Sequence, residues 1–153
     1  DADLLPCLNT LSKNLKLACH MFSEHGIQPV FEMINGTDMP RFLVQNIAQA
    51  QEMLEAVQHP ALKMQYDCYH MAMMGEDVLQ GLQENIQAIG HIQFADCPGR
   101  HEPDTAQIMY ANIFEWLQHS SYDGFIAAEY RPKTVSTQSF AWKAKYFAAH
   151  PQS

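Results

Sequence analysis

Four side chains with oxygen donors recur in one kind of place: Glu32 in FEMIN, Asp67 in QYDCYH, Gln93 in HIQFAD and Glu129 in AAEYRP. Each stands at the end of a short apolar run, where a buried strand would carry valine or leucine. An ionised carboxylate left unpaired in an apolar interior costs several kcal/mol, so such a residue is expected to be protonated, paired or bound to a metal. Taken singly, Glu32 also reads as a strand-end residue reaching solvent, and Gln93 carries no weight. Taken together they form a pattern, because the carboxyl ends of successive parallel strands gather at one point. Three carboxylates there repel each other and take up protons unless a cation neutralises them. The donors are hard oxygens throughout, three carboxylates and an amide, which favours Mg²⁺ or Mn²⁺ over zinc.

Two further residues suit a substrate. His70 follows Asp67 by three positions and is placed to hydrogen-bond a substrate oxygen, or else is a helix-start histidine bonded to backbone. Arg100 lies in the charged, Gly- and Pro-containing loop DCPGRHEP, where its planar fork suits a carboxylate, or where it is an ordinary surface arginine. Cys68 and Cys97 flank the same region and read as packing residues.

The elements that must position these residues alternate regularly. A helix is expected around Leu8 to Glu24, from apolar residues at helical spacing ended by Gly26. Strand one follows over Ile27 to Ile34, and a second helix runs from Leu43 to Val57 and stops near His59-Pro60. Strand two is Leu62 to Asp67. Helix three carries Val78, Leu82, Ile86 and Ile89, and strand three is His91 to Ala95. Helix four spans Tyr110 to His119, strand four Phe125 to Glu129, and a final helix Thr137 to Ala149 has Ser136 as its cap. Strands that are each followed by a helix imply parallel βα units, here in a single α/β unit covering residues 1–153 with no linker inside it.

Composition narrows the function. The chain has 153 residues, 47% hydrophobic and 17% charged, enough apolar material for one folded core. Its net charge of -8, with nine Lys and Arg and no basic cluster, lacks the phosphate-neutralising footprint of a nucleic-acid binder and favours a small-molecule partner. Four cysteines without paired spacing read as the reduced thiols of a cytoplasmic protein. No apolar run reaches the length of a membrane span, no signal peptide is read, and Asn35-Gly36-Thr37 matches a glycosylation sequon by chance. Opening on Asp1 rather than methionine is expected of a chain that was processed, trimmed or excised.

The segments FEMIN..DMP, LKMQYDCYHMAMM, IGHIQFADCPGRHEPDT and GFIAAEYRP, in this order from about Ile27 to Trp142, resemble the hydroxypyruvate isomerase family of xylose-isomerase-like TIM barrels. The resemblance implies a (β/α)8 barrel fold and a divalent metal on Glu32, Asp67, Gln93 and Glu129. It gives Glu32 and Glu129 a second role as the catalytic proton-transfer pair, and it implies that His70, Arg100 and Asp38 hold the substrate. Two departures stand out: the family reads EPGTGEINY where this chain has EPDTAQIMY, with Asp104, Ala106 and Gln107, and EPIN where it has Glu32-Met33-Ile34-Asn35. A full barrel needs roughly 250 residues and eight strands. The four βα units after an opening helix therefore correspond to strands five to eight, leaving edges to be covered by a second copy or by the missing N-terminal half.

The expected activity is a metal-dependent aldose–ketose isomerisation of a small hydroxy-oxo acid, hydroxypyruvate to tartronate semialdehyde, through an enediolate. A four-carbon 2-oxo acid of the 2-oxo-tetronate type is the alternative substrate. Two other readings are a zinc endonuclease for damaged DNA on the same barrel, against which the acidic charge counts, and a catalytically inactive metal-binding fragment.

Overall fold

The computed structural model describes residues 4–147. A four-stranded, all-parallel sheet in the order β1-β2-β3-β4 is formed by β1 (Val30–Glu32), β2 (Lys63–Asp67), β3 (Ile89–Phe94) and β4 (Phe125–Ala128). The long helix α1 (Leu4–Ser23) precedes it, and α2 (Ile47–Val57), α3 (Cys68–Met73), α4 (Val78–Asn85) and α5 (Tyr110–His119) lie between strands. Two short helices, α6 (Ser136–Ser139) and α7 (Ala141–Phe147), follow β4. The strict strand–helix alternation expected from the periodicity is present, and each strand pairs with the next in sequence.

Local chemistry sets the boundaries. Asn46, Asp67 and Asp77 cap α2, α3 and α4, their side-chain oxygens accepting the N–H of Gln49, Tyr69 and Gln80. Gly26, at φ 69°, sits in the left-handed region just beyond α1. Along each strand the side chains alternate. Met64, Tyr66, Ile92 and Phe94 point to the helical layer, where they join Leu82, Tyr110, Ile113 and Phe114 in the main core. Phe94 is edge-on to Phe114 at 5.3 Å and to Trp142 at 5.1 Å. A smaller cluster of Cys19, Met53, Val57 and Leu62 joins α1 to α2.

Several expected boundaries shift. Helix three ends at Asn85; a single 3-10 turn, Ile86–Ala88, follows, and Ile89 already belongs to β3. The helical spacing of Ile86 and Ile89 survives the change because both pack against the same core. The second helix starts at Ile47 rather than Leu43, since Asn46 caps there. The short α3, six residues long, was anticipated only in the alternative reading of His70 as a helix-start histidine. The final helix is broken at Phe140, Ser136 is its first residue rather than its cap, and Ala148 and Ala149 lie outside the described residues. All four cysteines are free, with Cys19, Cys68 and Cys97 buried. Among the described residues, no helix is long and apolar enough to cross a membrane.

Gly81 in α4 permits a close approach between helix and sheet. A Cβ there would meet the Tyr66 hydroxyl, itself bonded to the Val78 carbonyl at 3.2 Å, and would lie 3.0 Å from Ile47 Cδ1. Gly81→Ala should therefore destabilise the fold by about 1–3 kcal/mol in urea unfolding, overriding the usual helix gain from alanine. A variant as stable as the parent would show that the layer spacing is not set at this contact.

Candidate active site

Asp67 is the fixed point of the site. It ends β2 and caps α3, it is fully buried, and its Oδ1 accepts the Tyr69 N–H at 2.9 Å. Its other oxygen, Oδ2, accepts from Arg100 Nη2 at 3.1 Å. The same nitrogen donates to Glu129 Oε2 at 2.9 Å, so one guanidinium bridges two of the three carboxylates. Glu129 lies one residue past β4, yet its N–H still donates to the Phe94 carbonyl at 3.0 Å, continuing the ladder that aims its side chain. Glu32 ends β1, and its Oε1 is buried without a hydrogen-bond partner.

His70, in the first turn of α3, is 3% exposed and is held by Asn35. Asn35 Oδ1 accepts the N–H of Thr37 at 3.1 Å and of Asp38 at 2.8 Å, which orients its amide. The NH2 of that amide donates to Asp38 Oδ2 at 3.0 Å and lies 2.6 Å from His70 Nδ1; the Asn35 backbone N–H also reaches Nδ1 at 3.4 Å. With Nδ1 facing two donors, the ring proton belongs on Nε2. Nε2 points toward Glu32 Oε1 and Asp67 Oδ2, 3.7 Å from each. His70 thus offers the cleft an N–H donor. Asp38 also accepts from Tyr69 Oη at 2.8 Å, and Arg100 stacks over the Tyr69 ring at 4.9 Å.

These groups line one cleft of about 510 Å³, bounded by Glu32, Asp38, Tyr69, His70, Arg100 and Glu129. Of the seven residues singled out in the sequence, five line it; Asp67 is buried behind them, joined to Arg100 at 3.1 Å and 3.7 Å from His70, and Gln93 does not line it. Gln93 lies on the same sheet face, with its amide oxygen accepting from Gln65 Nε2 at 2.7 Å. Two participants were missed. Asn35 was read as part of a sequon and of the family motif but given no role in the site, although it is fully buried, and Tyr69 was passed over between Asp67 and His70. The signal available was local: an Asn three residues before Asp38, and a Tyr in the same helical turn as His70.

The electrostatics follow from this crowding. Burial first, then repulsion from Asp67 and Glu129, pushes the Glu32 carboxyl up to about 7. Burial raises Asp67 to about 6 in spite of the Tyr69 N–H and Arg100. Burial, reinforced by Arg100, lowers His70 to about 4 and keeps the imidazole neutral at pH 7. Hydrogen bonds from Asn35 and then Tyr69 hold Asp38 below the usual carboxylate range. Glu32, Asp67 and His70 each offer a potential ligand atom within 4.8 Å of the others. Since the protonation of His70 makes it a donor, the fit to a cation rests on the carboxylates: an unpartnered buried oxygen on Glu32 and a hard-oxygen set suited to a divalent ion.

Residues 2–146 match the xylose isomerase-like TIM barrel family across nearly the whole chain. The chain belongs to that family. It is 36% identical over 146 residues to the 2-oxo-tetronate isomerase of Cupriavidus necator, covering 95% of this chain and 56% of the relative. It is 35% identical over 137 residues to the hydroxypyruvate isomerase of Escherichia coli K12, covering 90% and 53%. Among solved structures, the AP endonuclease, family 2, from Brucella melitensis superposes with a TM-score of 0.89 at 29% identity, covering 94% of this chain and 55% of that one. The motif resemblance to hydroxypyruvate isomerases agrees with these relatives, and the parallel βα order is that of a partial xylose isomerase-like TIM barrel. The chain spans about half the length of the relatives it matches.

A raised carboxyl gains its proton on folding, so the Glu32 contribution to stability is fully present below about pH 4.5 and is lost as pH rises through about 7. In chelator, Glu32→Gln should match the parent in stability at pH 4 and exceed it by about 1–3 kcal/mol at pH 8, since the amide is never charged. Mn²⁺ added at pH 6 should release protons from the parent, read by comparing calorimetric heats in buffers of different ionisation enthalpy. Stability curves that stay parallel across this range would remove Glu32 as the strained charge.

Proposed function

We propose that this chain forms strands five to eight of a metal-dependent aldose–ketose isomerase that interconverts hydroxypyruvate and tartronate semialdehyde. The observation that carries the reading is that Glu32, Glu129, His70 and Arg100 line one cleft at the carboxyl ends of parallel strands, with buried Asp67 joined to them through Arg100. The relatives' names support the isomerase class. They do not separate two substrates, because identities of 36% and 35% fall to a 2-oxo-tetronate isomerase and a hydroxypyruvate isomerase. A four-carbon 2-oxo acid therefore stands as the second reading.

Glu32, Asp67 and Glu129 would hold Mg²⁺ or Mn²⁺, joined by the Gln93 amide oxygen once it releases Gln65. The ion, when bound, supplies positive charge that offsets the carboxylates and polarises the substrate carbonyl. Every proton movement belongs to the chain. One of Glu32 and Glu129 removes a proton from the hydroxyl-bearing carbon, and the C–H electron pair moves into the adjacent carbonyl to give an enediolate. A proton returned to the former carbonyl carbon, with transfer of the hydroxyl proton between the two oxygens, completes the exchange. The His70 Nε2–H donates to the oxygen on which negative charge grows, and a neutral imidazole does so without repelling the cation. Arg100 offers its fork to the substrate carboxylate, turning from Asp67 and Glu129 as they take up the cation.

The partner of this half-barrel is a second set of four strands, from another copy or from an N-terminal half. Its setting is the cytoplasm, in keeping with four free thiols. The zinc nuclease reading is tested by DNA titration against salt, where an acidic chain should show no binding.

The deciding experiment is isomerisation of hydroxypyruvate with Mn²⁺ or Mg²⁺ beside a chelated control. Turnover should require the metal, and Glu129→Gln should reduce it about 100-fold or more while leaving the circular dichroism spectrum unchanged. Unchanged turnover in that variant would overturn its proton-transfer role.

A further inference from the structure

Asp96, two residues past β3, takes no part in the cleft, yet it is completely buried. Its carboxylate is satisfied entirely by backbone. Oδ1 accepts the N–H of Cys97 at 2.8 Å and of Ile108 at 2.9 Å, and Oδ2 accepts the N–H of Thr105 at 3.0 Å and of Ala106 at 2.8 Å. The Asp96 N–H donates to the His101 carbonyl at 2.8 Å, closing an antiparallel bridge across the loop. Both ends of segment 97–108 are therefore tied to one side chain.

The tip of that loop carries the arginine. Gly99 at φ 102° and Arg100 at φ 55° both adopt left-handed backbone, a conformation that arginine holds only where its surroundings impose it. The Arg100 carbonyl accepts the Arg131 N–H at 2.7 Å, and the guanidinium reaches Asp67, Glu129 and the Tyr69 ring from there. We propose that Asp96 is the positioning residue that sets Arg100 over the cleft, and so determines how the site meets a substrate carboxylate. The inference rests on the proposed reading for what Arg100 grips. Its structural half, that Asp96 places Arg100, stands independently.

Asp96→Asn is the sharp substitution. An amide keeps the size but turns an NH2 toward backbone N–H groups, so at least one pair of the four bonds is lost. The probe is phenylglyoxal, which modifies accessible guanidinium groups, with the rate at each arginine read by peptide mass spectrometry. Arg41, which is exposed, is the internal reference. In the parent, Arg100 should react about tenfold more slowly than Arg41, because two carboxylates and a ring enclose it. In Asp96→Asn the two rates should come within about twofold of each other, with Arg41 unchanged, at a temperature where circular dichroism shows both proteins folded. A residue that only stabilised the fold would lower the melting temperature and leave Arg100 protected in the folded variant; that result overturns the proposal.

If the variant does not fold, the parent alone decides. Native-state hydrogen exchange in low urea should show the amides of Thr105, Ala106 and Ile108 opening together with the loss of Arg100 protection. Arg100 reacting freely while those amides stay protected would likewise overturn it. Turnover separates the two claims. A parent chain that neither binds Mn²⁺ nor turns over hydroxypyruvate defeats the proposed function while the labelling result stands, and an active parent should show a raised KM with little change in kcat in Asp96→Asn.

Discussion

The site depends on how like charge is tolerated at the carboxyl ends of the strands. Glu32 and Glu129 line one cleft with Asp67 buried behind them, and burial raises the Glu32 and Asp67 carboxyls by itself, before repulsion among the three is counted. Arg100 relieves part of this by bridging Asp67 and Glu129 with a single nitrogen. Glu32 is left with a buried oxygen that nothing donates to. A guanidinium reaches two carboxylates and leaves the third short, which is the imbalance that a divalent ion among all three would remove. The arrangement is destabilising for an isolated fold and useful for one that must bind a cation, the usual direction of the exchange between stability and function.

The neighbouring network serves the opposite end, holding a donor neutral and still. Each hydrogen-bonding group of the Asn35 side chain is engaged: the oxygen takes two N–H groups, and the NH2 serves Asp38 and His70. The tautomer of His70 is therefore decided by Asn35, three residues past β1, through its side-chain NH2 and its backbone N–H. Asp38, anchored by Asn35 and Tyr69, stays charged at the cleft wall. Side chains whose rotamers are locked in this way supply the preorganisation that stabilises developing charge.

Much of this was legible in the sequence, for identifiable reasons. A carboxylate at the end of an apolar strand is conspicuous in a one-dimensional pattern, so Glu32, Asp67 and Glu129 stood out together with the strands that carry them. The periodicity that places Leu82, Ile113, Phe114 and Leu117 inward is equally local, and all of them are in the core. What sequence could not convey was partnership. Arg100 was read as a fork for a substrate, and the structure has it bridging Asp67 and Glu129 across 33 and 29 residues of chain. Gln93 was read as a site residue, and its oxygen is engaged by Gln65, a neighbour on the adjacent strand. Asp104, at a position where the family has glycine, keeps the left-handed backbone at φ 71° and bonds Lys145 and Tyr146 of α7, a tether no local pattern announces.

The sheet has two unlike faces, and the difference separates binding from chemistry. Helices cover the side that carries Met64, Tyr66, Ile92 and Phe94. The side that carries the site holds Gln65 and Gln93, and on β4 it presents Phe125, 85% exposed, in register with His91. Parallel sheets are ordinarily buried on both faces, and β1 and β4 here are edge strands with unpaired backbone groups. Every carboxylate that would hold a cation lies on the wall that is present, so cation binding draws only on groups this chain already positions. Proton transfer between two carbons asks for more, because an enediolate open to water is protonated without control and the field of His70 and Arg100 is weakened by solvent. The open face can thus be sufficient for the ion and insufficient for the reaction, and whatever closes it acts on turnover first and on the ligand set hardly at all.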